Sequence, residues 1–200
     1  MRQLALGISP PQQPTLNNFV PGANAELLAR LRALASGDFP ENIVYLWGEA
    51  GSGKSHLLRA CEHAGLHVAD DVETLDETRQ IELFNRINEV RQARGAVLAA
   101  GNAPPAQLPL RDDLKSRLAW GLVYQVKALS DEERAVFLRA EAERRGMRLA
   151  DEVIWYLLTR VRRDLPSLTA ILDQLDRASL ERHRQITLPL VRDTLKIKEE

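Results

Sequence analysis

The chain has 200 residues, enough for one domain of ordinary size or two small ones, and its 44% hydrophobic residues can form a core. Its 27 basic and 28 acidic residues nearly cancel, which argues against a strongly cationic reader of duplex DNA. A single cysteine excludes an intrachain disulfide framework, and neither a membrane-length apolar run nor a signal peptide is evident, so we expect a soluble cytoplasmic protein without membrane partners.

The opening stretch contains three prolines and no helical period, which predicts an extended tail over residues 1–15. Within this tail, Gln3 is followed by Leu4 and Leu6 at alternating positions. Such a segment could dock into a hydrophobic groove on a partner and become ordered as it binds. The residues by themselves favour the simpler interpretation, a tail without a function.

A helix predicted from about Asn24 carries leucines on one face, and a loop then leads to the apolar run Ile43–Trp47, a predicted strand. The next residues, Gly-Glu-Ala-Gly-Ser-Gly-Lys-Ser, fit the phosphate-loop pattern G-x-x-x-x-G-K-[ST], and a predicted helix follows them as far as Gly65. In this strand–loop–helix context, backbone N–H groups cradle phosphates, Lys54 reaches the β- and γ-phosphates, and the Ser55 hydroxyl ligates Mg²⁺. We assign nucleotide binding to Gly48, Glu49, Ala50, Gly51, Ser52, Gly53, Lys54, Ser55 and His56.

Two later segments end in polar residues that suit the same site. A short predicted strand, residues 66–69, closes on Asp70, which would hold the Mg²⁺ shell, and Asp71, which would orient or deprotonate the attacking water. Asn102 follows a second buried strand, residues 96–100, and could bond that water or the γ-phosphate. The alternative is that the aspartates open a loop and that Asn102 is a turn residue before two prolines.

Between these strands, residues 76–94 have a helical period, and the apolar side of the predicted helix comprises Ile81, Leu83, Phe84, Ile87 and Val90. A short helix over residues 114–118 and a strand over residues 122–126 are predicted next. Beyond about Ala128 the pattern is helical throughout, beginning with a capping box at Ser130. We therefore expect an α/β nucleotide-binding domain over residues 16–128 and an all-α lid over residues 129–200.

These pieces in this order resemble the AAA+ P-loop NTPases, and specifically their DnaA-type initiator branch. The resemblance covers nearly the whole chain and rests on Leu16–Gly22, on the phosphate loop with His56-Leu57-Leu58, on Asp70-Asp71, and on Leu114–Leu122, which is similar to box VII of DnaA. Tyr45–Gly48 and Leu172–Ser179 are similar to regulatory inactivators within this branch. DnaA itself continues into a helix-turn-helix DNA-binding domain, whereas this sequence ends at Glu200.

The resemblance implies a role for several residues. Phe19 and Val20 would line an adenine pocket, and Arg117 would be an arginine finger offered to the nucleotide of a neighbouring DnaA subunit. The segment with Gln3, Leu4 and Leu6 would bind the sliding clamp, the β subunit of DNA polymerase III.

The implied function is to stimulate hydrolysis of DnaA-bound ATP at the DNA-loaded clamp and thereby inhibit initiation of replication. The chain itself would hold ADP or ATP with Mg²⁺, ADP being favoured, with at most weak ATPase activity. It would meet DNA mainly through the clamp, at the nucleoid, and the resemblance is compatible with a homodimer or higher oligomer.

Two departures from the family pattern stand out. Family members carry a further strand and helix between the phosphate-loop helix and the Asp-Asp strand, where this chain has only Cys61–Leu66, and the missing strand would belong to a sheet edge. Pro166 stands where the lid arginine that senses the γ-phosphate is expected, and Arg162 or Arg163 could replace that arginine one turn earlier.

Two other functions fit the same residues. An autonomous ATPase or helicase-loader-like motor needs only Lys54, Asp70 and Asp71. An anchoring adaptor would bind nucleotide for stability alone, without a role for Arg117.

Overall fold

A computed structural model describes residues 13–37, 42–63, 66–92, 95–182 and 184–195, apart from the side chain of His63. It divides into an α/β domain, Gln13–Ala128, and a helical domain from Leu129 onward. The segment with Gln3, Leu4 and Leu6 lies outside the described residues, so its role stays a prediction.

The α/β domain is built on a parallel sheet with the strand order β2-β3-β1-β4. Its strands are β1 (Ile43–Trp47), β2 (His67–Ala69), β3 (Val97–Gly101) and β4 (Leu122–Gln125). Its helices are α1 (Ala25–Ser36), α2 (Lys54–His63), α3 (Glu77–Gln92) and α4 (Asp112–Trp120).

The two central strands are buried on both faces because each is a continuous apolar run. Alternate side chains enter different layers, as the two-residue period of a strand requires. Val44 and Leu46 of β1 pack with leucines of α1 and α2, whereas Ile43 and Tyr45 pack with apolar residues of α3 and α4. Helices therefore cover both sides of the sheet, which confirms the expected α/β architecture.

Strand β2 is at one edge of this sheet and has only three residues. Three residues, 64–66, connect α2 to it. The further strand and helix that family members carry between α2 and β2 would therefore lie at the sheet edge, where a strand can be absent without exposing the buried central strands.

Helix α3 differs from the prediction in which of its side chains are inside. Leu83, Ile87 and Val90 are buried at spacings of four and three residues, but Ile81 is 41% exposed. Ile81 precedes Leu83 by two residues, which is about 200° around an α-helix, so the two cannot share one face. Phe84 is partly buried, so its exposure is intermediate between that of Leu83 and that of Ile81.

The helical domain contains α5 (Asp131–Arg144), α6 (Asp151–Arg160), α7 (Leu165–Arg182) and α8 (Leu188–Leu195). The predicted capping box is confirmed: Glu133 N donates to Ser130 Oγ at 3.2 Å, and Ser130 N donates to Glu133 Oε2 at 2.7 Å. The four helices enclose their own core, which includes Leu138, Leu157, Leu172 and Val191. Within the described residues, no helix of either domain is long and apolar enough to cross a membrane.

Candidate functional site

The phosphate loop follows Trp47, the last residue of β1, and enters α2 at Lys54. The Lys54 side chain turns back into the loop, where Nζ donates to the carbonyl oxygens of Gly48 at 2.7 Å and Glu49 at 3.0 Å. Only 8% of this residue is exposed. A positive charge is thus held inside the loop, next to the N–H groups of the first turn of α2, which have no partner within the helix.

A hydroxyl group in the same loop is available for a ligand. Ser52 is buried, and its Oγ has no hydrogen-bond partner in the part of the chain that the structure describes. Leaving a buried hydroxyl unpaired costs about 1–3 kcal/mol. An anionic oxygen in the loop would supply the missing acceptor, so the observed residues fit a phosphate group.

The segment before α1 packs against this loop. Phe19 is 9% exposed, its ring centroid is 5.5 Å from that of His56, and His56 Nε2 is 3.0 Å from the carbonyl oxygen of Thr15. The side chain of Asn24 is bonded at 2.8 Å to both the N–H and the carbonyl of Lys127. The structure therefore brings Phe19 to the nucleotide loop, and the adenine-pocket role of Phe19 and Val20 stays a prediction.

The carboxyl ends of the neighbouring strands carry the other predicted residues. In the parallel register, Trp47 of β1 is level with Gly101 of β3, and Ala69 of β2 is level with Ala99. The phosphate loop, Asp70 and Asn102 therefore emerge at one edge of the sheet, where ligands of parallel sheets bind. Asp70, Asn102 and residues 49–51 at the tip of the phosphate loop are all exposed.

The two aspartates after β2 adopt a local arrangement of their own. Asp71 N donates to Asp70 Oδ1 at 3.0 Å, and Asp71 has φ 46°, in the left-handed region that non-glycine residues seldom occupy. No group of three or more His, Cys, Asp or Glu side chains suited to a metal occurs among the described residues. The Mg²⁺ roles of Ser55 and Asp70 and the catalytic role of Asp71 therefore stay predictions.

Tyr45 supports the loop that carries Asn102. Its hydroxyl is fully buried and donates to the carbonyl oxygen of Ala103 at 2.8 Å. Burial first, and the nearby Glu73 carboxylate second, raise the pKa of this hydroxyl above its ordinary value, so it remains a donor throughout the physiological range. Glu73 Oε2 is itself buried without a described hydrogen-bond partner.

Arg117 lies on α4 and is neither free in solvent nor packed inside the core. Its guanidinium carbon is 3.6 Å from the ring centroid of Trp120 and 5.2 Å from that of Phe84. Its Nε is buried and has no hydrogen-bond partner among the described residues. An arginine stacked on a half-exposed tryptophan remains at the surface, which is compatible with contact to a partner subunit.

The helical domain holds the arginines considered as nucleotide sensors. Pro166 is in the first turn of α7, and both neighbouring arginines are engaged within the domain. Arg162 Nε is 3.2 Å from Asp164 Oδ2, and Arg163 Nη1 is 3.1 Å from Asp131 Oδ2. Both arginine side chains are exposed, with 87% of Arg162 and 54% of Arg163 accessible, so these ion pairs contribute little and the sensing role of either arginine stays a prediction.

The sequence interpretation missed two relationships at this site. One is the support of the Asn102 loop by Tyr45, because a tyrosine inside an apolar run gives no sign of its hydrogen-bond partner. The other is the stacking of Trp120 on Arg117, for which a signal exists: residues three apart on a helix are neighbours on its surface.

Comparisons with known proteins agree with this geometry. Residues 131–195 match the family model described as the lid domain of Hda. Domain III of the replication initiation protein DnaA from Thermotoga maritima is similar with a TM-score of 0.73 and 22% identity, over 92% of this chain and 96% of that one.

Two further structures show the same fold. AMPPCP-bound DnaA from Aquifex aeolicus has a TM-score of 0.68 and 22% identity, over 80% of this chain and 64% of that one. The RuvB Holliday junction branch migration motor of Thermotoga maritima has a TM-score of 0.69 and 15% identity, over 92% and 71%.

A phosphate loop on a parallel sheet, followed in the chain by a helical domain, gives this protein the α/β fold of AAA+ proteins, so the predicted fold class is confirmed. The chain shares its fold with DnaA, and residues 131–195 of its helical domain match the family model of the Hda lid.

Proposed function

We propose that this protein is a negative regulator of replication initiation that stimulates hydrolysis of the ATP held by DnaA. The observation that carries the proposal is the match of residues 131–195 to the Hda lid, attached to an α/β domain of DnaA-like fold. Arg117 is the residue that acts on DnaA, and the chain's own nucleotide stabilises the domain that presents it.

The phosphate loop supports binding of ADP or ATP by this chain. Lys54 and the first turn of α2 supply positive charge, and the Ser52 hydroxyl lacks an acceptor. Phe19 packs against Gly53 of the loop and against His56 of α2, and together with Val20 these residues would form the adenine side of the site. A bound Mg²⁺ ion would add charge neutralisation at the phosphates, with Ser55 and Asp70 as its protein ligands.

The position of Arg117 at the surface supports the proposal that it acts on a partner subunit. An arginine finger must reach a phosphate held by another subunit, so its guanidinium must not be engaged in an ion pair within its own chain. The guanidinium is stacked on Trp120, and its buried Nε has no acceptor among the residues described. Arginine fingers supplied in trans contribute about 10³–10⁵ to the rate of nucleotide hydrolysis.

The tail would bring this reaction to the replication machinery. Gln3, Leu4 and Leu6 are proposed to bind the sliding clamp, so DNA is met mainly through the clamp. Replacing Gln3 and Leu4 by alanine should abolish retention of the protein on immobilised clamp while leaving its affinity for ADP unchanged. Retention of the doubly substituted protein on the clamp would remove the tail from the proposal.

The decisive experiment measures hydrolysis of DnaA-bound ATP with and without clamp loaded on DNA. Arg117→Ala should lower the stimulated rate by about 10³-fold, since it removes the charge offered to the transferred phosphoryl group. Arg86→Ala is the control, because Arg86 is a surface arginine of the same domain that is paired with Glu89 at 3.1 Å. It should retain wild-type stimulation.

Two results would contradict the proposal. Full stimulation by Arg117→Ala would leave an anchoring adaptor as the function. Brisk ATP hydrolysis by the purified protein, without DnaA or clamp, would instead support the autonomous ATPase that Lys54, Asp70 and Asp71 would serve.

A further inference from the structure

Four side chains form a cationic and aromatic cluster between α3 and α4 of the α/β domain. The Trp120 ring is approached by two guanidinium groups, that of Arg117 with its carbon at 3.6 Å from the ring centroid and that of Arg91 at 4.4 Å. Phe84 adds a second ring, 5.2 Å from the Arg117 carbon. Both distances to Trp120 are well inside the range at which a tryptophan ring attracts a cation.

The Trp120 ring takes the place of a hydrogen-bond partner for Arg117. The Nε of Arg117 is buried without an acceptor among the described residues, and no ion pair is described for its guanidinium. Trp120 is 50% exposed, so its ring is not needed to fill the core. A large apolar ring is therefore kept at the surface where its main described contacts are with arginines.

The backbone fixes the end of α4 that carries this ring. Trp120 is the last residue of α4, and Gly121 follows it. A Cβ at residue 121 would lie 2.1 Å from the carbonyl oxygen of Ile43, so only glycine allows the end of α4 to approach β1 this closely. Trp120 is thereby anchored to the sheet, three residues after Arg117 and on the same side of the helix.

We propose that Trp120 is a positioning residue for Arg117, holding the guanidinium at the surface in the orientation in which it meets the partner's nucleotide. This inference rests on the proposed function of Arg117. A free arginine side chain has many rotamers, and ordering them on contact lowers the rate of a step that needs one geometry. Stacking on an anchored ring selects that geometry before the partner arrives.

The test compares Trp120→Phe and Trp120→Leu in the DnaA–ATP hydrolysis assay, with DnaA–ATP titrated to separate the maximal rate from half-saturation. Trp120→Leu should lower the maximal rate about tenfold and leave half-saturation within about twofold, because positioning acts on the chemical step. Trp120→Phe keeps an aromatic face and should retain most of the rate. Trp155→Leu removes the 43% exposed tryptophan of α6 and is the matched control.

Several outcomes would overturn the inference while leaving the proposed function intact, provided that Arg117→Ala is inactive. These are an unchanged or increased maximal rate in Trp120→Leu, a change confined to half-saturation, or an equal loss in Trp120→Phe and Trp120→Leu. If Arg117→Ala is itself fully active, the proposed function fails first.

A spectroscopic measurement tests the stack without any activity. In the nuclear magnetic resonance spectrum of arginine Nε–H groups, the signal lost in Arg117→Lys should be shifted upfield by the Trp120 ring current and should exchange slowly with water. Trp120→Leu should return it to the ordinary position. An Arg117 signal at the ordinary position in the wild-type protein would overturn the inference.

Discussion

The ring of Phe19 lies directly against the backbone of Gly53. A Cβ at residue 53 would be 2.8 Å from Phe19 Cε2, and Gly53 has φ +102°, a conformation that residues with a side chain rarely adopt. The glycine therefore serves two purposes at once, since it permits the loop conformation and admits the ring. The phosphate loop and the segment before α1 are coupled through this contact.

Gly53→Ala should weaken nucleotide binding and lower the free energy of unfolding of the α/β domain. The left-handed conformation alone costs about 1–2 kcal/mol for a residue with a Cβ, and displacement of Phe19 adds to this. Isothermal titration with ADP and urea unfolding measure the two effects. Gly37→Ala is the control, because Gly37 has φ +78° but its Cβ would meet nothing within 4 Å. Equal losses of stability in both variants would show that the Phe19 contact contributes nothing.

Lys54→Ala should abolish the stabilisation of the protein by ADP. A ligand at about 100 times its dissociation constant stabilises the folded state by about 2.7 kcal/mol, which the variant would lose together with the charge inside the loop. Thermal unfolding with and without ADP measures the difference. Lys115→Ala is the control, since Lys115 pairs with Asp112 on α4 at 2.7 Å. An ADP-induced shift that survives in Lys54→Ala would place the nucleotide elsewhere.

Most of the fold follows from local sequence patterns. The apolar runs of β1 and β3 are short and bounded by turn residues, and the capping box at Ser130 marks the start of α5. The helical period also predicted the helices, but it did not distinguish the side chains of α3 that are buried against the domain from Ile81, which lies beside them at the surface. Ile81 is exposed because burial depends on where the neighbouring helix lies, which period alone does not give.

The candidate site is only partly accessible to the same reasoning. A phosphate loop is defined by consecutive residues, so its pattern located Lys54 and Ser52 directly. The stacking of Arg117 on Phe84 joins two helices, and the hydrogen bond from Tyr45 to Ala103 joins residues 58 positions apart. Such contacts depend on the assembled sheet and have no local signature.

Tyr45→Phe should destabilise the α/β domain and loosen the loop that follows β3. The substitution keeps the ring and removes only the hydroxyl group. The Ala103 carbonyl then lacks this donor, at a cost of about 1–3 kcal/mol. The midpoint of urea unfolding reports the loss, and amide hydrogen exchange over residues 102–105 reports the loosening. Tyr124→Phe, on partly buried Tyr124 of β4, is the control. Unchanged exchange in Tyr45→Phe would show that the hydroxyl does not support Asn102.

Protonation of Glu141 should make the helical domain less stable in acid. Its carboxylate accepts hydrogen bonds from Arg144 at 2.6 and 2.9 Å and from Arg145 at 2.9 Å, and Arg145 also bonds Asp173. The bond from Arg144 above all, aided by Arg145 and opposed by burial, lowers the pKa of Glu141 below 4.5. The stabilisation is therefore complete above about pH 4.5 and is lost as the pH falls through the lower native-state value.

Glu141→Gln should cost about 1–2 kcal/mol at pH 7 and progressively less as the pH falls through the lowered native-state pKa of Glu141, so the variant has the flatter pH dependence. Amide hydrogen exchange of α5 and α7 measures the local free energy of opening at each pH. Glu143→Gln is the control, because Glu143 is an exposed carboxylate on the same helix. A pH dependence in Glu141→Gln as steep as that of the wild type would assign the acid sensitivity of this domain to other carboxylates.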